Sequence, residues 1–135
     1  AKKSLVGGYE TRAALEVKKS LLSEKRAVID RVFSSAYQAL LNLDEGQRGR
    51  ICENMLRAEA EGGETIVPAE ADRKAIEAAL RAMPEKKLNL SVKNAPIDGG
   101  FLLLAKGFEK NCSFESLLEL VRGEEETNVA KLLFD

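Results

Sequence analysis

Histidine is absent from this 135-residue chain. Without imidazole there is no His-based catalytic triad, no histidine metal ligand and no side chain that titrates near neutrality unperturbed. Cysteine is scarce. Cys52 and Cys112 stand far apart, match no zinc-binding spacing and read as two free thiols of a reducing compartment. Long apolar runs are missing too. The longest, Phe101–Ala105, is strand-sized and far below the ~20 residues of a membrane span. No signal peptide is legible, and a start at Ala1 rather than Met leads us to expect a processed or shortened N-terminus. The Gly-Gly pairs at Gly7, Gly62 and Gly99 lead into neither Gly-Lys-Ser/Thr nor G-x-G-x-x-G, so they read as turns rather than phosphate loops.

What is present is charge and aliphatic bulk. Apolar residues make up 44% and charged residues 32%, enough for one modest core with much solvated helix surface. The net charge of −1 argues against general nucleic-acid binding. It is unevenly spread: residues 1–43 carry eight Lys/Arg against four Asp/Glu, and the remainder is acidic. Lys18, Lys19, Lys25, Arg26 and Arg31 mark the basic segment, without the interleaved aromatics of a nucleic-acid surface. They suit solubility or an acidic partner helix, and a nucleic-acid adaptor is kept as an alternative. Glu61 and Glu64 flank a glycine turn and are expected to face solvent. Asp98 before Gly99-Gly100 reads most simply as a turn residue. A small carboxylate-dependent enzyme built on Asp98 is the other alternative.

Ala1–Gly8 reads as a loose lead-in, with a helix beginning near Tyr9 or Glu10. No proline or glycine interrupts the chain from there to Leu43. Leu15, Leu22, Ile29 and Ala36 recur every seven residues, but Lys18 and Lys25 occupy intervening seam positions. The stripe then broadens through Val28, Ile29, Val32, Phe33, Ala36, Tyr37, Leu40 and Leu41. The C-terminal half is expected to dock on a core and the N-terminal half to project, leaving Leu15, Leu21 and Leu22 in need of a partner. Asp44 caps a second helix that buries Ile51, Cys52, Met55 and Leu56. A strand over Glu64–Val67, a helix over Ala69–Met83 and a strand over Leu88–Val92 form a βαβ unit, with its two strands parallel. Phe101–Lys106 predicts a central strand covered on both faces, turned at Gly107 into an edge strand over Phe108–Cys112. Ser113 caps a last helix that Gly123 is expected to kink or break. Val129, Leu132, Leu133 and Phe134 are expected to point inward from a short final helix.

The fold class is therefore α+β. A long N-terminal helix, 1–43, serves as a stalk suited to a coiled coil, and a compact head, 44–135, carries a small four-stranded mixed sheet flanked by helices. Residues 30–135 resemble the E subunit of the V-type and A-type rotary ATPases. The resemblance rests on Thr65-Ile66-Val67-Pro68 running into Glu70-Ala71-Asp72, and on Gly99-Gly100-Phe101-Leu102-Leu103. It extends to Asn111-Cys112-Ser113-Phe114-Glu115 and the ending Val129-Ala130-Lys131-Leu132-Leu133-Phe134. It implies a non-catalytic component of the peripheral stalk, or stator, without cofactor or metal. Such a component holds the catalytic head against rotor torque while ATP synthesis or hydrolysis is coupled to proton or sodium transport. The implied partners are the helical G subunit along the stalk, the B subunit of the head, and the membrane sector through helix missing from this chain. The implied location is cytoplasmic and peripheral to the membrane, with no membrane insertion and no nucleic acid. Leu15, Leu22 and Ile29 are the partner-binding candidates.

Overall fold

Thr11 opens the described part of the chain. Its extended backbone and its hydroxyl, which accepts from the Ala14 N–H at 3.0 Å, cap the first helix. The computed structural model describes residues 11–135. The expected lead-in and the expected helix start at Tyr9 or Glu10 lie outside the described residues. Helix α1 runs uninterrupted over Arg12–Leu41. Asp44 then caps α2 (Glu45–Glu59), accepting from the Gln47 N–H at 2.8 Å.

The chain reverses through Glu61-Gly62-Gly63, where both glycines take positive φ. Strand β1 (Thr65–Pro68) follows, then a 3₁₀ turn over Glu70–Asp72 and helix α3 (Arg73–Ala82). The helix begins later than Ala69 because Asp72 turns its carboxylate into the core rather than outward along the first turn. Pro84 ends it in a second 3₁₀ turn, Pro84–Lys86. Strand β2 is only Asn89–Leu90 and pairs parallel to β1, as the βαβ pattern requires. The expected run to Val92 is cut short at Ser91, whose hydroxyl accepts from the Lys93 N–H. Arg73 holds the displaced loop by donating to the Ser91 and Lys93 carbonyls and to Asn94 Oδ1.

Strands β3 (Gly100–Ala105) and β4 (Phe108–Ser113) form the antiparallel hairpin, turned at Lys106-Gly107 with Gly107 at φ 92°. The sheet order is β2-β1-β3-β4, so β3 is central and β4 is an edge. The two-sided burial expected of β3 is not what forms. Phe101 and Leu103 are fully buried, whereas Leu104 on the other face is exposed. Ile66, Phe101, Leu103 and Cys112 all point to one face. There they meet Cys52 and Leu56 of α2, Ile76 and Ala79 of α3, and Phe114. A largely antiparallel sheet can leave its second face to water, and this one does.

Helix α4 (Phe114–Phe134) is capped by Ser113, which accepts from the Ser116 N–H at 3.1 Å. It is a single 21-residue helix that passes Gly123 without a break. A mid-helix glycine costs only about 1 kcal/mol against alanine, and packing along α1 outweighs that. The contacts of Arg122 with Asp30 and Phe33, and of Phe134 with Lys25, show α4 returning antiparallel along α1. Its end does not point inward. Leu132 is 84% exposed, Leu133 and Phe134 are exposed, and Val129 is half-buried. Two helices crossing pairwise bury one narrow stripe each, so the apolar residues of the last turns cannot all be covered.

Candidate interaction surfaces

The stripe along α1 changes character where α4 ends. Ile29 and Phe33 are buried at 7% exposure, with Val28, Tyr37, Leu40 and Leu41 half-buried beside them. The docked stripe is narrower than its composition suggests, because Val32 and Ala36 remain exposed. Toward the N-terminus Leu15, Val17, Leu21 and Leu22 are all exposed, Leu22 at 67%. Leu15 and Leu22 share the heptad stripe of Ile29, since seven residues nearly complete two helical turns. Of the three partner-binding candidates, the structure therefore leaves Leu15 and Leu22 accessible and places Ile29 inside the chain's own α1–α4 seam.

A groove of about 510 Å³ opens along that seam. Leu22, Lys25, Arg26 and Ile29 line one side, and Ala130 and Phe134 the other. Helix α1 carries six Lys/Arg against three Asp/Glu, so its open face is basic as well as apolar. The seam itself is flanked by charge. Arg122 pairs with Asp30 and lies 5.2 Å from the Phe33 ring, and Lys25 lies 5.3 Å from the Phe134 ring.

The head surrounds a polar centre that the residue pattern did not disclose. Arg48 of α2 binds Asp72 through two parallel 2.9 Å hydrogen bonds, and Asp72 is 1% exposed. The second carboxylate oxygen of Asp72 also accepts the Gly100 N–H at 2.8 Å. Gly100 sits at φ +86° against the Cys112 carbonyl, and a Cβ on Gly99 would enter the Phe114 ring, so neither position admits a side chain. The Gly-Gly pair was thus the legible half of this centre. Its ionic half was not: Asp72 entered only within the Glu70-Ala71-Asp72 stretch, with no role assigned, and Arg48 in no motif.

Glu64 likewise departs from expectation. It is 5% exposed rather than facing solvent, because its carboxylate folds back to accept the Glu61 and Gly62 N–H groups. Burial opposes its ionisation. The N–H groups of Glu61, Gly62 and Glu64 itself, with the charge of Lys86, outweigh that and hold its pKa below the usual carboxylate value. Lys86 also donates to the Ala60 carbonyl at 2.6 Å and so closes the end of α2.

Asp98, the candidate acid, accepts a 2.8 Å hydrogen bond from the Tyr37 phenol. Tyr37 is pushed up to about 12, first by burial and then by this bond to a carboxylate. The pair ties α1 to the loop before β3. Cys52 and Cys112 are both buried free thiols, pushed up to about 12 and about 11, chiefly by burial. Among the described residues no group of three or more Cys, Asp or Glu is placed to hold a metal, and no helix is long and apolar enough to cross a membrane.

Comparison with known proteins supplies the context for these surfaces. No family model matches the chain. The V-type proton ATPase E subunit of Thermoanaerobacter pseudethanolicus is 35% identical over 127 residues, covering 87% of this chain and 64% of the relative. The V-type proton ATPase E subunit of Clostridium botulinum strain 657 is 31% identical over 134 residues, covering 92% of this chain and 67% of the relative. The chain belongs to the E-subunit family of V-type ATPases. The V-type ATP synthase E subunit of Clostridium perfringens agrees at 32% over 130 residues, covering 90% of this chain and 66% of the relative. The chain thus spans about two thirds of the length of the E-subunit relatives it matches.

Proposed function

We propose that this chain is the peripheral-stalk portion of a V-type rotary ATPase, a non-catalytic stator component. In this reading it holds the catalytic head against rotor torque while ATP turnover is coupled to transport of protons or sodium ions. The observation that carries the reading is the exposed Leu15–Leu22 stripe on a continuous helix whose later turns are docked on the head. A helix stiff enough to bear load, with an uncovered apolar stripe and a basic surround, suits a second helix laid along it. Membership of the E-subunit family supports the same assignment. The proposed division is a stalk over 1–43 and a head over 44–135, with α4 of the head laid back on the stalk. The helical G subunit is the proposed partner at Leu15 and Leu22, with Ile29 beneath the seam, and the B subunit the proposed partner of the head. Membrane-sector subunits would be met beyond the N-terminal end, and the chain would sit peripherally on the cytoplasmic side.

Titration calorimetry of the chain against the isolated B subunit, without and with the G subunit, tests this. Saturable one-to-one binding in either arm is expected. A folded chain that binds the B subunit in neither arm overturns the proposal.

A further inference from the structure

The guanidinium of Arg48 reaches four separate parts of the chain. Its Nε and one terminal nitrogen donate to the two oxygens of Asp72 at 2.9 Å. The other terminal nitrogen donates to the carbonyl of Leu41, the last residue of α1, at 2.8 Å. A longer bond of 3.2 Å goes to the Asp98 carbonyl, and the Phe114 ring lies 5.2 Å away. Asp72 in turn holds Gly100 at the start of β3. One side chain thus joins the end of α1 to the start of α3, to the loop before β3 and to the start of α4.

The last carbonyls of a helix lack intrahelical partners, so a half-buried cation there both satisfies one and suits the helix dipole. Tyr37, Leu40 and Leu41 also pack α1 against the core, but apolar contact is non-directional. Tyr37 of α1 also donates a hydrogen bond to the Asp98 carboxylate, but it is a single bond at a partly exposed site, and the links at Arg122 and Lys25 lie on a partly exposed seam where charged contacts hold weakly. A planar fork with several fixed donors holds direction, which a lysine cannot reproduce.

We infer that Arg48 is the joint that fixes the direction of α1 relative to the sheet. The inference rests on the stator reading only for its consequence, that load carried by α1 enters the head at Arg48.

The test uses the isolated chain and does not depend on any ATPase partner. Spin labels at Glu16→Cys on α1 and Lys106→Cys on the hairpin turn, both exposed, report the distance between rod and head. The buried native thiols react slowly at neutral pH. Arg48→Lys and Asp72→Asn are compared with Leu103→Ala, a core variant chosen to lower thermal stability at least as much. The two joint variants, folded by circular dichroism, are expected to broaden and shift the distance distribution. Leu103→Ala is expected to keep it narrow. An unmoved distribution in both joint variants overturns the inference. Equal broadening in Leu103→Ala overturns it as well, since packing alone would then set the angle. Either result leaves the binding titration with the B subunit standing as a separate question.

Discussion

At the residue scale, the polar groups that matter are the buried ones. Asp72 is partnered on both oxygens, and replacing it with alanine strands Arg48 and the Gly100 N–H together. Breaking one side of such a pair costs about 3–5 kcal/mol. Asp72→Ala is therefore expected to lose that much in urea unfolding, and a loss near zero would contradict the role given to the pair. Glu64 makes a pH prediction. Its folded pKa lies below its unfolded value, so its contribution is fully present above the unfolded value and is lost as pH falls through the folded one. Thermal melts of Glu64→Gln between neutrality and acid are expected to show a shallower acid decline than the parent chain. Parallel declines would mean that the carboxylate's backbone contacts add no stability.

At the scale of elements, α4 is the informative case. Glycine at position 123 suggested a break, yet the helix continues, and a Cβ added there would meet open space. Gly123→Ala is expected to stabilise the chain by about 0.5–1 kcal/mol. Calorimetry showing a lower melting temperature would mean that the seam needs the missing side chain. The hydrophobic residues of this region also divide by position rather than by type. Leu103 is fully buried in β3, and Leu103→Ala is expected to cost about 2–5 kcal/mol. Leu132 is 84% exposed, and Leu132→Ala is expected to stay within about 0.5 kcal/mol. Leu132 and Leu103 are the same residue type, so only the packing around each separates them.

Across the whole molecule, the arrangement is a rod docked at one end and open at the other. Leu15 lies beyond the reach of α4, so Leu15→Ala is expected to leave urea stability unchanged within about 0.5 kcal/mol. A large loss would mean that the open half of α1 is held by the head after all. Leu22→Asp places a charge on the exposed stripe. It is expected to weaken the proposed association with a G subunit by roughly tenfold or more, at about 1.4 kcal/mol per decade, while the chain's own fold is kept. Undiminished association would remove this stripe from the proposed interface.

Periodicity alone determined a good deal. The uninterrupted α1, the Asp44 and Ser113 caps, the parallel β1–β2 pair and the central β3 with its Gly107 hairpin were all legible before any contact was known. The helix, the caps and the Gly107 turn depend on neighbours within a few residues, where local backbone preference decides, and the parallel pair follows from the right-handed strand–helix–strand crossover. Burial was not legible in the same way. Whether Glu64 faced water, whether Leu104 and Leu133 were covered, and whether Ile29 belonged to a partner or to this chain depended on segments distant in sequence. The Arg48–Asp72 pair shows the same limit most sharply. Two ordinary charged residues on separate elements became the centre of the head only because tertiary packing excluded water around Asp72 and left the Leu41, Asp98 and Gly100 backbone groups facing them. Desolvation gives a charge pair its consequence, and desolvation is a property of the assembled fold.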